Sequence, residues 1–115
     1  MPLLKLETNV ALDEKKRAAL LAGLSSIAAQ AIGKPEQYVM VTVQSHGLLM
    51  AGKPGDAAFV DVRSIGGLGG DVNRQLAQKI CAALKEALGV PPDRVYLNFT
   101  DVAAGNWGWN GSTFG

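Results

Sequence analysis

One cysteine, one histidine and a nearly balanced charge remove several function classes from this chain before any motif is read. Cys81 has no partner for an internal disulfide, or for a C-x-x-C redox or zinc pair. Eleven Lys and Arg face ten Asp and Glu, and no run of like charge exceeds Lys15-Lys16-Arg17. Such a chain has no basic field to release counterions from nucleic acid, so no nucleic-acid partner is expected. No apolar run is long enough to span a bilayer, and Lys5 and Glu7 interrupt the opening MPLLKLET too early for a secretory leader. The expectation is a soluble, cytoplasmic protein without a membrane partner. Ser-rich and Pro-rich tracts are also missing, so 1–115 reads as one domain without a linker.

What is present is a repeat. GKPEQYVMVTV from Gly33 answers GVPPDRVYLNF from Gly89, 56 residues later, and the same shift pairs LLKLET from Leu3 with FVDVRS from Phe59. Each copy reads strand, helix, strand. In the first, a strand from Pro2 to Glu7 leads to a helix capped by Asp13. Its stripe is Leu20, Leu24, Ile27 and Ala31, widened by Leu21, Ala28 and Ile32, and Gly33 and Pro35 end it. In the second, Asp71 is the expected cap, Leu76, Ile80, Ala83, Leu84 and Ala87 the stripe, and Gly89 and Pro91 the stop. Val39 to Val43 and Val95 to Phe99 are the returning strands.

A strand, helix, strand unit implies parallel pairing within each half and a right-handed crossover. The fold class is therefore α+β: a duplicated βαβ unit forming one four-stranded mixed sheet with two helices on one face. Val39, Val41, Val43, Val95, Leu97 and Phe99 form rows suited to the helices. The opposite rows hold Met40, Thr42, Gln44, Tyr96, Asn98 and Thr100, with Leu3, Lys5, Phe59, Asp61 and Arg63 from the first strands. No third helix is available to cover that mixed face. It is either an exposed sheet face with scattered hydrophobes or the inner wall of a cyclic homo-oligomer.

Isolated features carry ordinary structural roles. RSIGGLGGD, Arg63 to Asp71, lacks both G-x-G-x-x-G and phosphate-loop spacing, and reads as a tight connection whose backbone could meet a small anion. Lys34 follows a helix C-terminus, where a cation complements the dipole. His46 reads as surface, and Cys81 as core or near-core, flanking a helical stripe. Pro2 lacks an amide hydrogen and suits the start of a strand; if Met1 is removed, it presents a secondary amine instead.

MPLLKL, GKPEQY, RSIGGLGG, DRVYLNFTD and VAAGNWGWNGSTFG, in that order and over the whole chain, resemble the macrophage migration inhibitory factor family of the tautomerase superfamily. The resemblance implies a homotrimeric barrel with an active site at each subunit interface and no cofactor or metal. It implies a phenylpyruvate tautomerase acting on α-keto acids or their enols, and dopachrome-like substrates, with Pro2 as catalytic base. Lys34 and the backbone of Ile65 would bind the substrate's oxygens. Asn98 and Tyr96 would come from the neighbouring subunit, and Tyr38, Trp109 and Phe114 would form aromatic walls. The alternative is a non-catalytic trimeric binding or cytokine-like signalling protein. The C-x-x-C pair of the family's animal cytokine members is replaced by Ala57 and Val60 and their arginine before the first helix by Leu12, while Trp107 stands where a small aliphatic residue is common and Thr100 replaces a tyrosine.

Overall fold

The computed structural model describes residues 1–115. Strand β1 (Pro2–Thr8) is followed by helix α1 (Glu14–Ile32), strand β2 (Met40–Ser45), strand β3 (Ala58–Ser64), helix α2 (Gly70–Leu88) and strand β4 (Val95–Asp101). A short hairpin, β5 (Gly108–Trp109) and β6 (Ser112–Thr113), closes the chain. The four long strands lie in the order β2-β1-β3-β4; β1 runs parallel to β2 and β3 to β4, while β1 and β3 are antiparallel. This is the mixed sheet that the repeat predicted. Lys5 and Asp61 face each other across β1 and β3 and are also repeat equivalents, so the pseudo-twofold axis passes between them.

The core shows the duplication most directly. Leu20, Leu24, Ala28 and Ile32 of α1 are buried, and so are Leu76, Ile80, Leu84 and Leu88 of α2, each residue 56 positions after its counterpart. Spacing of four keeps one stripe per helix turned toward Leu4, Leu6, Val60 and Val62 of the two central strands. The expected stripes were wider than this. Ile27, Ala31 and Ala83 are half-buried, and Ala87 is exposed beside a shallow groove between the helices, because helices laid on a sheet bury the stripe that faces it and leave the flanks partly open.

Asp13 caps α1 as expected, its carboxylate accepting from the Lys16 amide at 2.7 Å. Asp71 does not cap α2. The helix begins two residues earlier, with Gly69 at the cap position and no side-chain cap bond, so Asp71 lies in the first turn and pairs with Arg74 at 3.1 Å. The glycines let the turn tighten before Asp71 is reached, and the Asn73 side chain accepts from the Gly69 amide at 3.3 Å. Both helices stop on a left-handed glycine, Gly33 at φ 76° and Gly89 at φ 73°, whose amides bond back to Ala29 and Lys85. Strand β2 starts at Met40 rather than Val39, because the 3₁₀ turn Glu36–Tyr38 takes the Val39 amide for the Glu36 carbonyl.

On the helix-free face the residues form rows across all four strands. Met40, Leu3, Arg63 and Thr100 make one row, Thr42, Lys5, Asp61 and Asn98 the next, and Gln44, Glu7, Phe59 and Tyr96 the third. In the middle row Asp61 is buried. One of its oxygens receives Arg63 at 2.9 and 3.1 Å, while the other, Oδ1, has no partner, nor does Thr42 Oγ1. Met40 and Tyr96 stand 63% and 68% exposed on the same face, a combination that an isolated chain does not satisfy.

Candidate active site

Strand β1 begins at Pro2, where the missing amide hydrogen costs no ladder bond, and Pro2 is fully buried opposite Ser64. Beside it opens a cleft of 230 Å³. Met1, Pro2 and Leu3 supply one side, Gln37, Tyr38, Val39 and Met40 a second, and Trp107, Gly108, Trp109 and Phe114 a third. Both tryptophans of the chain are in this lining. The third side exists because the chain folds back on itself: Asn110 and Gly111 take left-handed φ values of 51° and 78°, and the Phe114 amide bonds to the Trp107 carbonyl at 3.1 Å. Trp109 and Phe114 then stack, with ring centroids 6.0 Å apart and planes 13° from parallel.

Lys34 emerges just past the left-handed end of α1. Its stem runs along the turn between β3 and α2: a Cβ added at Gly67 would lie 3.5 Å from Lys34 Cε and 2.7 Å from Ile32 Cγ2. Only a glycine lets helix end and turn approach this closely. The turn is held by three bonds. The Val102 amide donates to the Ser64 carbonyl at 2.8 Å, the Ser64 hydroxyl to the Gly66 carbonyl at 2.7 Å, and the Gly66 amide to Asp101 Oδ1 at 2.9 Å. The Ile65 amide between them donates to no group of the chain.

The terminal amino group, on Met1, is pulled below its ordinary value, first by burial and second by the Lys34 ammonium. Both influences disfavour the charged form of an amine, so the corner favours a neutral, basic nitrogen.

Of the residues singled out in the sequence, Pro2, Tyr38, Trp109 and Phe114 line one cleft. Lys34 acts on the adjoining amino group, and Ile65 follows Ser64, the cross-strand partner of Pro2. Tyr96 and Asn98 are not brought to the cleft of their own chain. They stand exposed on β4, where Asn98 donates to Thr100 Oγ1 at 3.2 Å and Tyr96 borders a different cavity with Leu49 and Phe59. Gln37, a polar group in a largely apolar lining, was not singled out; its signal is its place immediately before Tyr38 in the 3₁₀ turn. The Asn110-Gly111 pair was a readable hairpin signal for the tail. His46 is exposed as expected, but its ring engages Glu7 Oε1 and the Gly47 carbonyl, each at 2.9 Å. No group of His, Cys, Asp or Glu side chains is placed to hold a metal ion, and no helix is long and apolar enough to cross a membrane.

This geometry can be set beside known proteins. The family model described as macrophage migration inhibitory factor matches residues 1–115. The macrophage migration inhibitory factor of Meriones unguiculatus is 40% identical over 115 residues, covering 99% of each chain. Among solved structures, the homologue from Prochlorococcus marinus superposes with a TM-score of 0.93 at 38% identity, covering 98% of this chain and 99% of that one. The macrophage migration inhibitory factor-like protein of Entamoeba histolytica gives a TM-score of 0.94 at 30% identity, covering 98% of both chains. With sequence and fold alike from end to end, including the duplicated unit and the tail that walls the cleft, the chain belongs to the macrophage migration inhibitory factor family.

Proposed function

We propose that this protein is a keto-enol tautomerase for phenylpyruvate-like α-keto acids, with the nitrogen of Pro2 as general base once Met1 is removed. The observation that carries the reading is the burial of Pro2 in an aromatic-walled cleft at a corner where burial and Lys34 hold the Met1 amine below its ordinary value, influences that would act alike on a Pro2 amine. Moving a proton between carbon and oxygen needs a base of suitable strength and a stabiliser for the developing enolate. The Pro2 amine supplies the first. Lys34 and the free Ile65 amide supply the second, and Tyr38, Trp109 and Phe114 receive a flat aromatic group. Support for a homotrimer comes from the helix-free face, where Met40 and Tyr96 are exposed and Thr42 Oγ1 and Asp61 Oδ1 lack partners. In that assembly Tyr96 and Asn98 would enter the cleft of a neighbouring copy.

A second reading follows from Met1, which itself lines the cleft. While it remains attached, the Pro2 nitrogen is a tertiary amide without basicity, and the protein is a non-catalytic, cytokine-like binding trimer. Intact mass separates processed from unprocessed chain. Processed protein is expected to ketonise enol phenylpyruvate faster than buffer does, and acylation of the amino terminus to abolish the increment; equal rates with and without processed protein would overturn the proposal.

A further inference from the structure

We infer that Asp101 is a positioning residue that keeps the Ile65 amide available as an oxyanion donor. The inference rests on the reading of the cleft as a keto-acid site, and the repeat supplies its argument. Each half of the molecule has one turn from strand to helix, and the residues that hold the two turns are equivalent. Thr8 corresponds to Ser64, Val10 to Gly66, Ser45 to Asp101 and His46 to Val102, each pair 56 apart.

One bond is common to both turns: the His46 amide donates to the Thr8 carbonyl at 2.9 Å as the Val102 amide does to Ser64 at 2.8 Å. The other two are exchanged. In the first turn the strand hydroxyl of Thr8 accepts from the Val10 amide at 3.2 Å, and the Ser45 hydroxyl donates to the Val10 carbonyl at 2.7 Å. In the second, the Ser64 hydroxyl donates to the Gly66 carbonyl and Asp101 accepts from the Gly66 amide. A carboxylate has nothing to donate, so aspartate at this position takes the residue's N–H where serine takes its C=O. Its bond is charge-assisted and therefore the stronger hold.

Three consecutive peptide planes are thus fixed from Ser64 to Gly67. The donor left over among them at Ile65 faces no competing acceptor in the chain. At the equivalent place in the first turn the Asn9 amide is likewise unbonded, but the Asn9 side chain closes that turn against the following loop, bonding the Gly55 carbonyl at 2.8 Å and the Ala57 amide at 2.9 Å. The second turn is held from one side and left open on the other. Fixing a donor before the charge develops is what lets it stabilise an oxyanion without reorganising.

Asp101→Ala is compared with Ser45→Ala, the matched loss in the other half. Turnover of enol phenylpyruvate gives KM and kcat. Quenching of the two cleft tryptophans by an unreactive aromatic 2-oxo acid analogue gives Kd without turnover. Asp101→Ala should lower kcat about tenfold, as loss of a donor to the developing charge requires, and raise Kd for the ground-state analogue about threefold. Asp101→Asn, whose amide oxygen still accepts, should recover most of the loss, and Ser45→Ala should leave both constants within about twofold. Unchanged kcat in folded Asp101→Ala, or an equal fall in Ser45→Ala, overturns the inference. Processed wild-type protein that binds the analogue without turning over substrate overturns the tautomerase reading alone; protein that does neither overturns both.

Discussion

The two ends of the sheet carry two related clefts, and only one of them gathers an amine, a cation and aromatic walls. Pro2, Leu3 and Met40 on the first correspond by the 56-residue shift to Ala58, Phe59 and Tyr96 on the second. The first has 230 Å³ under the tail from Trp107 to Phe114; the second has 240 Å³ under Leu48 to Ala51. At the second, Lys34 is matched by buried Val90, and Tyr38 by Arg94, whose guanidinium is occupied by the carbonyls of Met50, Lys53, Gly55 and Asp56. Duplication built two equal scaffolds. Charge, the terminal amine and the aromatic tail were placed on one of them.

Pro2→Gly is expected to produce the largest effect on this contrast. It keeps an amine but loses the rigid ring, and in processed protein kcat/KM should fall on the order of 10²-fold or more. Retained turnover would show that the first cleft is no more chemical than the second.

Next come the paired core deletions Leu20→Ala and Leu76→Ala, which remove equivalent leucines 3% and 0% exposed. Each should cost about 2–5 kcal/mol in denaturant unfolding, and similarly in the two halves. Unequal losses would mean that the halves share a pattern but not an energetic core.

Smaller is the cost of Gly67→Ala. The residue has φ 79°, and its new Cβ would press on Ile32 Cγ2 and on the Ile32 carbonyl 3.1 Å away, so about 1–3 kcal/mol is expected together with weaker keto-acid binding as Lys34 shifts. The reverse change at its equivalent, Ala11→Gly, should leave binding unaffected, since Ala11 is exposed. Thermal melts with ligand titration measure both.

The smallest effect concerns His46, whose equivalent Val102 cannot titrate. The Gly47 carbonyl, then Glu7, raise the His46 pKa above its ordinary 6.5. Two acceptors facing both ring nitrogens favour the doubly protonated ring. The resulting stability is fully present below pH 6.5 and is lost as pH rises through the higher folded value. A plot of melting temperature against pH should show this slope in the wild type and not in His46→Gln.

Much of this was legible because hydrophobic spacing of four and the strict period of two on strands are local properties. The Leu20 and Leu76 stripes and the division of β2 and β4 into two faces could be read directly. Asp71 misled because a cap depends on where the preceding turn closes, and Gly66 and Gly67, both left-handed, let it close early. Gln37 was not singled out because a lone polar residue acquires meaning only from the walls around it.

Repetition and side-chain periodicity alone determined the duplicated unit, the glycine stops of its helices and the sheet's two unlike faces, since stripes, stops and strand alternation follow from neighbours a few residues apart. Tertiary structure decided which chemically ordinary residues meet. Pro2, Lys34, the turn at Ile65 and the C-terminal stretch from Asp101 to the aromatic tail lie far apart in the chain and share one corner because β1 and β3 are antiparallel, which sets the start of the first strand beside the end of the third. No local pattern encodes that meeting; it is produced by closing the sheet over a common core.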